Sequence, residues 1–155
     1  VEYVQASYSN KIRKYDVEDT AVVNFVFKSG VLGTLSVSDT IVSPWSYELT
    51  AGENPAYPIT NQSAYYIGGT KSSIQFPNYK EWYNKNERSW WKPIFHKDES
   101  TRESRYTLTN QINHLCDVVN KKTKPKITGE DGLLSLKIFA AIIKSAKTGK
   151  KVKIK

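Results

Sequence analysis

Alternation of apolar and polar positions dominates the first two-thirds of the chain. In Ala21-Val22-Val23-Asn24-Phe25-Val26-Phe27 the odd positions are Ala, Val, Phe and Phe. After Lys28-Ser29-Gly30, the run from Val31 to Ser38 sets Val31, Leu35 and Val37 on one side and Thr34, Ser36 and Ser38 on the other. A period of two marks a half-buried strand, and the Gly-containing break between the runs predicts a β-hairpin. Val1 to Tyr8 predicts an earlier strand. Ser63 to Ile67 and Ser73 to Phe76 flank Gly68-Gly69-Thr70-Lys71 as a second hairpin, and Trp45 to Ala51 and Ser89 to Phe95 are candidates for two further strands.

The period then changes. Leu108, Ile112, Leu115, Cys116 and Val119 fall at helical spacing, and this helix is expected to stop by Lys122, ahead of Pro125. Thr128 offers a capping hydroxyl with Asp131 three residues on, and Leu133 to Ala146 predicts a strongly apolar helix. Lys144 and Lys147 in its last turn and Gly149 beyond it suit a helix end. Val152 to Ile154 predicts a short closing strand. Strands followed by helices imply an α+β domain, a largely antiparallel or mixed open sheet of about six strands with helices packed on one face. The other face is then either a dimerisation surface or a face solvated by its Ser and Thr residues.

A chain of 155 residues is the size of one domain, and one domain over 1–155 is expected. The sequence starts at Val1 and contains no Met, which predicts a segment of a longer protein. No run approaches the roughly 18 apolar residues of a membrane helix, and the N-terminal residues lack the pattern of a signal peptide. The single Cys116 forbids an internal disulfide and fits a reducing, cytoplasmic compartment. Asn61-Gln62-Ser63 matches the glycosylation acceptor pattern, a tripeptide short enough to recur by chance. The net charge of +8 suggests nucleic acid until it is located: residues 121–155 hold 11 Lys against Glu130 and Asp131, while residues 1–120 hold 12 basic and 13 acidic residues. A Lys-only stretch without Arg or interleaved aromatics reads as a solvated surface, so neither nucleic acid nor membrane is expected as a partner.

Self-contained chemistry is hard to find. Gly30-Val31-Leu32-Gly33 and Gly68-Gly69-Thr70-Lys71-Ser72 lack the spacing that holds a phosphate on backbone amides, and both read as hairpin turns. His114 and Cys116 lie two apart on a helix, where side chains diverge, so no metal is expected. His96 beside Asp98 and Glu99 could form an acid–base set, or simply a solvated loop. The segment Pro44 to Pro58 interleaves Trp45, Tyr47 and Tyr57 with Glu48, Glu53 and Asn54. It suits a rigid wall for a polyhydroxylated ligand, with aromatic faces on sugar C–H patches and polar groups on hydroxyls, and equally a structural loop sealing a sheet edge.

Val17-Glu18-Asp19-Thr20-Ala21, Phe27 to Thr34, Thr128 to Leu133 and Ser145 to Val152 together resemble, in order and over nearly the whole chain, the C-terminal domain of Gfo/Idh/MocA oxidoreductases. Trp45 to Pro58 with Ile67-Gly68-Gly69-Thr70 is similar to a subgroup of dehydrogenases in that family. The resemblance implies a glyceraldehyde-3-phosphate-dehydrogenase-like C-terminal domain. It also implies an N-terminal Rossmann domain, outside this chain, that binds NAD or NADP and carries a Glu-Lys-Pro-type lysine. The family's Asp/His helix is implied to lie just before Val1. Trp91-Lys92-Pro93 echoes the lysine motif without its Glu, and the role is not transferred. This chain is then expected to act as substrate-binding and oligomerisation domain of an NAD(P)-dependent dehydrogenase of a sugar, cyclitol or related polyol, as a homo-dimer or tetramer formed through the sheet face. Lys11 and Arg13, after the first strand, and Trp45, Glu48, Asn54 and Tyr57 are the pocket candidates. No catalytic, cofactor-binding or metal-ligating residue is assigned. The rivals are a free-standing carbohydrate- or nucleic-acid-binding module without activity and a purely structural dimerisation domain.

Overall fold

A computed structural model describes residues 1–98 and 107–155. In chain order the elements are β1 (Tyr3–Ser9), β2 (Thr20–Val26), β3 (Leu32–Ser38), α1 (Tyr47–Ala51), β4 (Tyr65–Gly68), β5 (Ser72–Phe76), β6 (Lys80–Tyr83), β7 (Phe95–Asp98), α2 (Thr107–Val119), α3 (Gly129–Thr148) and β8 (Val152–Lys153). The strands form two four-stranded antiparallel sheets, β3-β2-β1-β8 and β4-β5-β6-β7. The chain divides into two compact units: Val1–Val42 with Lys124–Lys155, and Ser43–Thr123. The α+β class holds, with eight strands in two sheets where the sequence pattern suggested about six in one.

In the first unit, register decides what is buried. Val4 pairs with Phe25, and Ala6 with Val23 and through it Leu35, so these side chains share one face (successive residues of a strand point to opposite sides). Helix α3 covers that face. Val4, Ala6, Val23 and Ala141 form the buried core, with Phe25, Ile138, Ile142, Ala146 and Val152 packed around it. On α3, residues 138, 141, 142, 145 and 146 make one stripe at helical spacing. Its ends follow the sequence signals: Thr128 and Asp131 complete a reciprocal capping box, and Gly149 stops the helix in the left-handed conformation at φ 68.

Strand β8 is only two residues long and pairs with Tyr3 and Val4, so the N–H of Ala6 further along β1 has no strand partner on that edge. Ser145, fully buried on α3, fills the gap. Its Oγ accepts from the Ala6 N–H at 2.9 Å and donates to the Lys150 carbonyl at 2.6 Å, tying strand, helix and the turn into β8 together.

In the second unit the segment expected as a strand, Trp45 to Ala51, is helix α1. Ser46 caps it, its Oγ accepting from the Leu49 N–H, and Gly52 ends it at φ 65. The apolar alternation of Trp45, Tyr47 and Leu49 is real but too short to outweigh that start signal at Ser46 and stop signal at Gly52. Ser89 to Phe95 is also not a strand. Only Phe95 belongs to one, since β7 starts there. Strand β6 was not expected, because Lys80-Glu81-Trp82-Tyr83 alternates charged and aromatic residues in pairs rather than singly. It is held between neighbours: Glu81 lies opposite Lys97 and its carboxylate meets the ammonium at 3.0 Å. Helix α1 lies on the β4–β5 face, where the Tyr47 ring stacks on Phe76 at 6.0 Å and meets Tyr65 at 6.0 Å. Helix α2 appears where periodicity placed it, with Leu108, Ile112, Leu115 and Val119 all exposed.

Candidate functional site

The loop from Asn10 to Glu18 rises from the end of β1 and carries Lys11 and Arg13. Asp19 organises it. This buried carboxylate accepts through Oδ2 from the backbone N–H groups of Ile12 and Arg13, both at 3.0 Å. The Arg13 amide holds the Asp19 carboxyl below the ordinary aspartate range, working against the burial that would raise it, with the Ile12 amide adding to the effect. The guanidinium of Arg13 reaches across to the residue after β3. Its Nε lies 3.0 Å from Asp39 Oδ1, and a terminal nitrogen donates to the Asp39 carbonyl at 2.7 Å. Beside it three hydroxyls are linked, Thr20 to Ser38 at 2.8 Å and Ser38 to Thr40 at 2.9 Å. Arg13 is thus a partly exposed guanidinium held in place by the carboxylate and the backbone carbonyl of Asp39, next to groups that both donate and accept. Lys11 is exposed on the same loop.

Trp45, Glu48, Asn54 and Tyr57 belong to the other unit. Residues 44–60 close on themselves: the Thr60 hydroxyl donates to the Pro44 carbonyl at 2.7 Å and its N–H to the Leu49 carbonyl at 3.0 Å. Within this loop the two expected uses of aromatic residues separate. Tyr47 is structural, packed on the sheet with its hydroxyl donating to Glu53 Oε1 at 2.7 Å, which together with burial pushes its pKa up to about 12. Trp45, Glu48, Asn54 and Tyr57 are exposed. Asn54 Oδ1 accepts from the Ala56 N–H at 3.0 Å, which shapes the turn and leaves its amide nitrogen outward. These four residues lie on the loop 44–60 of the second unit, and Lys11 and Arg13 on the loop after β1 in the first.

Other candidates find ordinary places. Lys92 pairs with Glu87 at the surface. His96 Nε2 and Asp98 Oδ2 are 4.0 Å apart on exposed side chains, and Glu99 lies outside the described residues. Cys116 is an exposed free thiol. Among the described residues no group of His, Cys, Asp and Glu is arranged to hold a metal ion, and no helix is long and apolar enough to cross a membrane.

Sequence reading missed a cavity of about 540 Å³ at one end of the β4–β7 sheet. The hairpin tip around Lys71, the end of β6 at Trp82 and the loop carrying Arg88 and Trp90 border it, and it is open to solvent. Gly69 is essential to the tip, since a Cβ there would stand 2.8 Å from the Ser72 carbonyl oxygen. The signal available in the sequence was the crowding of Arg88, Trp90 and Trp91. What could not be read was that the glycine hairpin nearly twenty positions earlier meets them.

The whole-chain comparison decides the family. The family model for the C-terminal alpha/beta domain of the Gfo/Idh/MocA oxidoreductases matches residues 1–154. The chain belongs to that family. Among solved structures, this Gfo/Idh/MocA domain is similar to an NAD-binding protein from Listeria innocua, with 16% identity and a TM-score of 0.67 over 99% of this chain and 41% of the other. It is similar to the WlbA dehydrogenase of Bordetella pertussis, solved with NADH and UDP-GlcNAcA, at 19% identity and a TM-score of 0.60 over 100% of this chain and 39% of the other. Aldose-aldose oxidoreductase from Caulobacter crescentus, complexed with glycerol, gives 18% and 0.60 over 98% and 41%. Likeness at this identity establishes the fold. The chain spans about two-fifths of the length of these proteins. Among curated proteins it has no significant match.

Proposed function

We propose that this domain is the substrate-binding and oligomerisation half of an NAD(P)-dependent oxidoreductase acting on a sugar, cyclitol or related polyol, working in the cytoplasm with an N-terminal Rossmann domain. The observation that carries the reading is the family match over residues 1–154. Two of the similar proteins were solved with a sugar nucleotide or a polyol, which supports the substrate class.

The described residues do not fit the dinucleotide itself. A pyrophosphate needs a glycine turn leading from a strand into a helix N-terminus. Here Gly30 and Gly69 sit in strand-to-strand turns, and the first turn of α3 holds Glu130 and Asp131 with its cap already satisfied. Hydride and proton transfer therefore belong to the other domain. This chain's residues bind and orient: Lys11 and Arg13, in the loop after β1, as cationic and hydrogen-bonding contacts, and in the loop 44–60 Trp45 and Tyr57 as stacking faces with Glu48 and Asn54 as hydroxyl partners. The sheet face opposite α3 serves self-association.

Steady-state kinetics of the two-domain protein with a panel of aldoses and polyols test this. Arg13→Ala is expected to raise KM about tenfold or more with a smaller effect on kcat, because binding is lost equally in ground and transition states. Trp45→Ala is expected to act in the same direction. Saturable binding of NADH to the 155-residue chain alone, or an Arg13→Ala protein with unchanged KM for every substrate turned over, would overturn the assignment.

A further inference from the structure

The cavity at the end of the β4–β7 sheet shares no lining residue with either of the loops described above. Its chemistry is one-sided. Lys71 and Arg88 line it, and among the described residues no Asp or Glu does. The nearest carboxylates along the chain are already engaged, Glu87 with Lys92 and Glu81 with Lys97, so among the described residues neither cation has a carboxylate partner. Trp90 is fully exposed, with 100% of its surface open to solvent, and Trp82 forms part of the same wall. An indole in water has no packing role. It presents flat apolar surface beside two cations and the polar side chains of Asn84 and Ser89, while Trp82, its ring against His96 and Lys80, is half-buried in the wall. The volume of about 540 Å³ is that of a small-molecule site.

We propose that this cavity binds an anionic sugar, a monosaccharide or short glycan bearing a carboxylate or a phosphate. Each part of the ligand has its partner. Arg88 and Lys71 take the anion, the guanidinium as a two-pronged donor and the ammonium as a point charge. The Trp90 indole takes the C–H face of the ring. Asn84 and Ser89 take ring hydroxyls: the Asn84 amide nitrogen already donates to the Pro93 carbonyl at 3.2 Å, which fixes the side chain and leaves its oxygen to accept. The site is independent of the oxidoreductase reading and stands or falls without it.

The test is calorimetric and fluorescence titration of the 155-residue chain with glucuronate, glucose 6-phosphate, unmodified glucose and inorganic phosphate. Both sugar acids are expected to bind saturably, about tenfold or more tighter than glucose, and to alter tryptophan emission. The ratio of the two acids distinguishes carboxylate from phosphate as the preferred anion. Lys71→Gln with Arg88→Gln is expected to remove that advantage and leave the response to glucose unchanged. Trp90→Ala is expected to weaken every sugar ligand. All three side chains are at the surface, and circular dichroism of each variant checks that the fold is retained; were the double variant to misfold, each single substitution would carry the same comparison. The proposal fails if neither acid binds, if the acids bind no more tightly than glucose, if the charge variants bind as the parent does, or if inorganic phosphate alone binds as tightly as glucose 6-phosphate.

Discussion

At the residue scale, Asp19 shows how a loop after a strand is given a fixed shape. Its carboxylate replaces two missing backbone partners, those of Ile12 and Arg13, and the Arg13 amide holds it ionised below the usual aspartate range. The sign for stability follows from the lowered pKa. The contribution is complete above the ordinary value of 3.8, declines as pH falls below it, and is gone once pH passes beneath the lower folded value. Amide hydrogen exchange at Ile12 and Arg13, after correction for intrinsic rates, is expected to accelerate over that acid window, ahead of the amides in β1 and β2. Asp19→Asn is expected to produce the same local opening at neutral pH and to cost about 1–3 kcal/mol, since an amide cannot replace a charged acceptor for two N–H groups. Exchange that is unchanged in the variant would show that the loop is shaped by something else. Sequence placed Arg13 in this loop as a ligand contact. Its neighbours were beyond reach of any local pattern: Asp19 folds back six residues, and Asp39 comes from the far side of a hairpin 26 residues on.

At the scale of elements, legibility followed the length and singleness of the signal. The β2–β3 hairpin alternates over both strands, and α3 combines a long apolar stripe with caps at each end, so tertiary packing and local preference agree. Helix α1 and strand β6 are short and their local signals conflict. Trp45-Ser46-Tyr47-Glu48-Leu49 alternates like a strand while Ser46 and Gly52 punctuate a helix. In β6 the decisive partner of Glu81 is Lys97 on another strand. Ser145 belongs to the same class of contact, invisible in sequence because a Ser in an apolar stripe reads as a mild defect. Its hydroxyl serves both the unpaired Ala6 N–H and the Lys150 carbonyl. Ser145→Ala preserves the helix and the packing volume, yet strands a buried donor. Denaturant unfolding is expected to show a loss of about 1–3 kcal/mol, concentrated in faster exchange along the β1–β8 edge. Ser145→Ala with undiminished stability would mean that water or a backbone shift satisfies Ala6 instead.

At the scale of the whole molecule, the face of the first sheet turned away from α3 carries an unusual composition. By register it consists of Lys153, Tyr3, Val26 and Leu32; Gln5, Asn24 and Thr34; Ser7, Val22 and Ser36; and Ser9, Thr20 and Ser38. Across β1, β2 and β3 there is no charged residue on this face, the one charge being Lys153 on the short edge strand β8, in a chain whose residues are 25% charged. Solvated sheet faces ordinarily use Lys and Glu, whereas depletion of charge is what marks the centre of an association surface. Exposed Val22 and Leu32 add apolar area to it. In a two-fold assembly the same patch meets itself, so one substitution places two like charges across the axis. Asn24→Lys, central on β2 and exposed, is therefore expected to weaken self-association about tenfold or more in sedimentation equilibrium, with the circular dichroism spectrum unchanged and partial recovery at high salt. A chain that is monomeric at high concentration, or a variant that associates as the parent does, would return this face to solvent and leave its missing charges without an explanation.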